Sequence, residues 1–179
     1  VSRAHWDACA GSENPFVSHT FLKTLEDSGT VSSETGWLPQ HIVIEDNKGL
    51  VGCVPCYLKN HSQGEYVFDW GWADAYERAG GKYYPKLQVS VPFSPVTGPR
   101  LLVRSGEDIR KTRRELTAGL LELAKQHGVS SVHVTFPTEG EWNDLSEMGL
   151  IKRQGQQFHW RNMEYGTFDD FLDTLNSRK

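Results

Sequence analysis

The stretch Glu107 to His127 constrains the fold more than any other part of the chain. Ile109, Leu116, Leu120, Leu123 and Ala124 recur on one helical face, with Ser105 as a cap before them and Gly128 as a stop behind. Val129 to Phe136 (VSSVHVTF) then reads as a buried strand. Thr138-x-x-Glu141 is a capping box that opens another helix, carrying Trp142, Leu145 and Met148 and ending at Gly149. A one-faced helix set between strands packs on a sheet, which predicts an α/β domain.

The rest of the chain fits that class. Asn14-Pro15 opens a helix whose Val17, Phe21, Leu22 and Leu25 hold helical spacing until Gly29, and Thr30 to Gly36 reads as a loop. Gln40 to Glu45 predicts a strand, Asp46 to Gly49 a turn, and Leu50 to Leu58 the returning strand. After a turn at Gly64, Glu65 to Trp70 (EYVFDW) alternates as a third strand of an antiparallel meander. Gly71 to Gly80 predicts a short helix with Trp72, Ala75, Tyr76 and Ala79 on one face. Leu87 to Val91 and Arg100 to Val103 read as strands, joined by a rigid, proline-rich connection. Leu150 to Arg161 predicts a strand or a hairpin around Gly155. Thr167 caps a last helix, with Phe168, Phe171, Leu172 and Leu175 at i, i+3, i+4 and i+7. That helix is expected to run on through Asn176 to Lys179, as in a fragment cut inside a helix.

Composition narrows the function classes. The 179 residues suit one domain, and 37% hydrophobic with 11% aromatic residues excludes a disordered or collagenous chain. No apolar run approaches the ~18 residues of a membrane span. The first residues, VSRAHWDACAGSE, lack the apolar core of a secretory signal, so a cytoplasmic location is expected. Three cysteines, an odd count, agree with a reducing compartment. A net charge of −4 offers no general basic surface, and DNA is not an expected partner.

Few motifs carry chemistry outright. Cys53-Val54-Pro55-Cys56 has the spacing of a redox pair but lies in a strand pattern, where alternation turns the two sulfurs to opposite faces. A metal site would need a second pair of ligands, and the seven histidines lack metal-binding spacing, so no metal is expected. No G-x-S-x-G elbow is present. His133 lies among valines in a strand and reads as a satisfied core side chain. Arg110, Lys111, Arg113 and Arg114 cluster on the long helix, largely neutralised by Glu107, Asp108 and Glu115. The unusual stretch is Tyr66 to Leu87, with two of the six tryptophans, four of the six tyrosines, and Asp69, Asp74 and Glu77 among them. Aromatic walls with a few placed carboxylates suit a small-ligand cleft, and a carboxylate against rings suits a base for an amine.

The segments NPFVSHTFLKTLEDSG, LVGCVPCYLKNHSQGEYVFDW, GWADAYERAGGKYYPKLQVSVPFSPVTGPRLLV and GLIKRQGQQFHWRN together resemble the FemAB-like predicted N-acyltransferases of bacteria, over nearly the whole chain. The resemblance implies a GNAT-like fold, a mixed, splayed sheet flanked by helices. It also implies that residues 1–179 form one such domain, the N-terminal half of a longer protein with a second GNAT-like domain. The implied activity is transfer of an acyl or aminoacyl group from acyl-CoA or aminoacyl-tRNA to an amine acceptor, a small molecule, a peptide or a peptidoglycan precursor. The alternative is a non-catalytic module that recognises a peptide or muropeptide. On this reading Tyr57, Trp70, Trp72 and Tyr76 hold the acceptor. Asp69 and Asp74 are the catalytic candidates, Asp69 being favoured as base because it stands where a strand gives way to a helix. Arg104, Ser105 and Gly106 stand where such enzymes bind the donor phosphates. The chain departs from the pattern there, with one glycine and two acids, Glu107 and Asp108, at the helix end that should attract anions.

Overall fold

Ser2 caps α1 (Arg3–Ala10), its hydroxyl accepting the His5 N–H at 3.3 Å, in a computed structural model that describes residues 1–175. The sequence pattern does not predict this helix, although Trp6, Cys9 and Ala10 bury one face of it. Asn14 does cap Pro15, but only for a single 3-10 turn (Pro15–Val17); the extended Ser18 then recaps the chain into α2 (His19–Asp27).

β1 (Trp37–Pro39), β2 (Ile42–Asp46), β3 (Gly49–Val54) and β4 (Cys56–Lys59) follow. The expected strand Leu50 to Leu58 is thus cut at Pro55, which has no N–H to give a ladder. Its two halves enter different sheets. β3 lies between β2 and β6 (Leu102–Val103), while β4 lies between β1 and β5 (Lys86–Val89); β7 (Val132–Val134) adds to β5 in parallel. His41 fills the break, with Nδ1 accepting the Cys56 N–H at 3.1 Å and Nε2–H donating to Glu26 at 2.9 Å. The result, two sheets parted at Pro55 with flanking helices, is the mixed, splayed arrangement that the family resemblance implies.

Glu65 to Trp70 is not a strand. Tyr66 takes a left-handed φ of 56°, and Glu65 and Asp69 turn inward to Lys86 instead of joining a ladder. α3 (Trp70–Arg78) follows as expected, but only Ala73 of it is buried. α4 (Ile109–His127) starts later than predicted. Asp108, not Ser105, is its cap, accepting the Lys111 N–H at 3.0 Å, and Ile109 is exposed. Gly128 closes α4 in the left-handed conformation. α4 lies so close to β3 that a Cβ on Gly52 would collide with Thr112. Leu116 and Leu120 pack with Val54, Cys56, Leu87, Val89, Leu101 and Leu145 in the main core.

α5 (Glu139–Glu147) carries both bonds of its capping box. Leu150 to Arg161 forms neither strand nor hairpin and is largely exposed. Thr167 caps α6 (Phe168–Asp173), again with both bonds of a capping box, but nothing in α6 is buried. The expectation for Asn176 to Lys179 falls outside the described residues.

Candidate functional site

Strand register sorts the four-stranded sheet into two unlike faces. Lys59 stands opposite Lys86, Tyr57 opposite Gln88, and Gln88 beside His133. Leu58, Leu87, Val89, Val132 and Val134 fall on the other parity and pack in the core under α4. One face is therefore apolar and the other polar, and the chain from Ser62 through α3 to Tyr84 covers part of the polar one.

Lys86 is the centre of that face. It is fully buried, and Nζ donates to Asp69 Oδ2 at 2.7 Å, Glu65 Oε2 at 2.8 Å and Ser62 Oγ at 2.9 Å. Tyr83 OH also donates to Asp69 Oδ2, at 2.8 Å. Burial alone would raise the Asp69 pKa, but the bonds from Lys86, Ser62 and Tyr83 and the Lys86 charge outweigh it and hold the carboxyl below its usual range. In Glu65 burial wins over Lys86, and the pKa rises. Lys59, also fully buried, has no carboxylate within ion-pair distance among the described residues. Its Nζ lies 3.6 Å over the Trp37 ring and donates to Gln63 O at 3.3 Å. Burial, aided by the Lys86 charge and against Glu65, brings its pKa down to about 7. Burial first and Lys86 second bring His133 down to about 4, so its ring is neutral at pH 7. A groove of about 430 Å³, lined by Trp37, His61, Gln63 and Phe93 among others, lies beside Lys59.

Six buried side-chain polar atoms have no hydrogen-bond partner among the described residues, and five of them belong to this face or its cover: Trp37 Nε1, Glu65 Oε1, Asp69 Oδ1, Gln88 Oε1 and Ser90 Oγ.

The residues predicted from sequence do not converge on one cleft. Asp69 is buried under α3, whereas Asp74 lies on the exposed flank of α3, paired with Arg78 at 2.8 Å. Tyr57 is enclosed, its ring edge-on to Trp37 and to His41, and does not reach the α3 aromatics. Trp70 and Trp72 are about two-thirds exposed and Tyr76 about half. Phe68 and Trp70 pack edge-on at one side of α3, while Trp72 and Tyr76, four residues apart, share another; all four are open to solvent, neither the walls of a pocket nor core. Tyr76 rests edge-on against Tyr83 and fills the space that a Cβ on Gly81 would take. Arg104 is engaged: Nη2 reaches Asp46 Oδ2 at 2.6 Å and Glu107 Oε1 at 2.7 Å. Those bonds raise its pKa and, with the Lys48 N–H, hold Asp46 at about 2. Ser105 and Gly106 form the turn before α4, where the Asp108 carboxylate already takes a first-turn N–H. A donor diphosphate at this place would have to displace or face three carboxylates, so the residues present do not fit one.

Lys59, Lys86, Glu65 and Tyr83 escaped the sequence reading. The available signal was a lysine at the end of each of two strand patterns, CYLK and KLQV.

The fold and this face define a mixed α/β domain with a splayed sheet and an aromatic surface mounted over buried charge. The chain belongs to the FemAB-like family, described as peptidoglycan biosynthesis/recognition, whose model matches residues 1–179. No curated protein matches the chain. Among solved structures it is similar to an aminoglycoside N-acetyltransferase, AAC(6')-Iy, in complex with CoA, at 11% identity and a TM-score of 0.48, over 90% of this chain and 96% of that one.

Proposed function

We propose that this chain serves N-acyl transfer to an amine acceptor of peptidoglycan type, and that its own part in the reaction is to hold the acceptor. The observation that carries this reading is the set of exposed rings on and beside α3, Phe68 with Trp70 on one side and Trp72 with Tyr76 on another, fixed from below by the Asp69–Lys86 and Tyr83 contacts. Exposed aromatic groups that cost burial energy, on a rigid base, mark a recognition surface. The family description, biosynthesis/recognition, supports the acceptor class. Asp69 acts as an anchor here. To serve as a base it would first have to leave Lys86 and Tyr83. The acyl donor, acyl-CoA or aminoacyl-tRNA, is a substrate held by another part of the protein, such as a second GNAT-like domain, because Arg104 and its neighbours satisfy their own carboxylates.

Calorimetry of the chain with a muramyl peptide and with acetyl-CoA tests this. The muramyl peptide binds, Trp72→Ala weakens it by about tenfold, in line with loss of one aromatic contact, and acetyl-CoA gives no heat. Binding of acetyl-CoA that depends on Arg104, or no binding of the peptide, overturns the reading.

A further inference from the structure

We infer that Arg153 and Trp72 form a carboxylate-reading subsite on the α3 surface, selecting acceptors that join a ring to a carboxylate; this rests on the acceptor-surface reading above. Arg153 lies in the exposed chain beyond α5, which returns over the start of α3. Its guanidinium stands 5.5 Å from the centre of the Trp72 ring, and Nη2 donates to the Phe68 carbonyl at 3.3 Å. Those two contacts place the fork against the exposed aromatics. Among the described residues Arg153 has no carboxylate within ion-pair distance, in contrast to Arg78, Arg104, Arg110 and Arg113. The acid nearest to Trp72 on α3, Asp74, is held by Arg78 instead. Glu65 and Asp69, the acids beneath, are spent on Lys86.

A guanidinium has five N–H donors, and among the described residues one of these has a partner. The remaining ones match a carboxylate, for which an arginine fork gives paired, charge-assisted bonds. The exposed Trp72 face beside it takes the flat side of a ring. Tyr83 packs edge-on against Tyr76 of α3 on one side and His133 of the sheet on the other, so α3 stands over the polar sheet face. His133 is neutral there and brings no second charge to compete for the carboxylate. Sugar acids of peptidoglycan have the required form, a pyranose ring with a carboxylate beside it. A peptide C-terminus supplies the same carboxylate without the ring.

N-Acetylmuramic acid and N-acetylglucosamine differ by the carboxylate-bearing side chain and are the direct probes, with D-alanyl-D-alanine as the peptide arm. Binding is read by tryptophan fluorescence and by NMR shifts of the whole chain. N-Acetylmuramic acid binds about tenfold tighter than N-acetylglucosamine, the value of one charge-assisted contact, and Arg153→Gln removes the gap. Because Arg153 is exposed, its variant melts at the wild-type temperature. Arg153-dependent binding of D-alanyl-D-alanine, with the two sugars alike, keeps Arg153 as the reader and assigns the carboxylate to a peptide. Equal binding of both sugars and indifference of every probe to Arg153→Gln, with Trp72→Ala still weakening them, overturns the subsite and leaves the acceptor surface standing. No binding of any probe overturns both.

Discussion

Lys59 shows how a single buried side chain ties stability to pH. No carboxylate lies within ion-pair distance of it among the described residues, and the Trp37 face offsets only part of the cost of burying an ammonium. The pKa accordingly falls from 10.5 in the unfolded chain to about 7 in the fold. Between these two values the unfolded chain binds the extra proton, so stability rises with pH across that window; below about 7 both states are protonated and the full penalty applies. Lys59→Met keeps the volume and removes the penalty. It is expected to stabilise the protein at pH 7 by about 1–2 kcal/mol, in the range found when buried charges give way to apolar groups. It also flattens the slope of stability between pH 7 and 10. Urea melts over a pH series check this, and a less stable variant with an unchanged slope would refute the assignment.

At the scale of elements, Glu141 joins what the sequence keeps apart. As the third residue of α5 it closes the capping box, accepting the Thr138 N–H at 3.1 Å. The same buried carboxylate accepts the N–H groups of Arg100 at 2.8 Å and Leu101 at 2.7 Å, where the chain enters β6. Glu141→Ala leaves three N–H groups without their acceptor and is expected to cost about 3 kcal/mol or more in denaturant melts. A loss under about 1 kcal/mol, as for a surface cap, would show that water replaces the carboxylate. The local half of this device was legible from Thr138-x-x-Glu141; the half that reaches 40 residues back was not, since local pattern carries no information on distant partners. The same division holds elsewhere. Gly128 and Thr167 act within their own turns and are legible there. The α4 cap was misplaced because Ser105 and Asp108 are both good caps three positions apart. Glu65 to Trp70 resembles a strand in sequence because its alternation is real, but the fold inverts it. Tyr66, Phe68 and Trp70 face water, and Glu65 and Asp69 face inward, since Lys86 of a later strand offers them an ion pair. The candidate site suffered most. The aromatic surface was visible in composition, but its buried lysines needed the pairing of β4 with β5, and Arg153 needed the return of a distant segment.

At the scale of the whole molecule, the core is complete once Leu150 has packed against it. No residue from Ile151 to Leu175 is buried, and Ile151, Phe158, Trp160, Met163 and Phe168 are all more than 60% exposed, at 94%, 97%, 65%, 69% and 70%. Side chains of this segment touch the rest through a few polar and cation–ring contacts, all near its start: Lys152 to Asn143 and Trp142, Arg153 to Phe68 and Trp72, and Gln157 to Pro95. Trp160, Tyr165 and Phe171 pack on one another instead of on the sheet. A segment that buries so little adds little to global stability and opens at low cost. Trypsin is therefore expected to cut first after Lys152, Arg153 or Arg161, leaving a core fragment that keeps its circular dichroism and melts within a few degrees of the intact chain. Mass spectrometry of the early fragments and thermal melts of the product check both halves of the expectation. The two functions should then separate: the core keeps Trp72 and its affinity for rings, while a cut before Arg153 removes preference for a carboxylate. If the trimmed core unfolds, the exposed segment belongs to the folding unit, and its aromatics are stabilised by contacts that burial alone does not register.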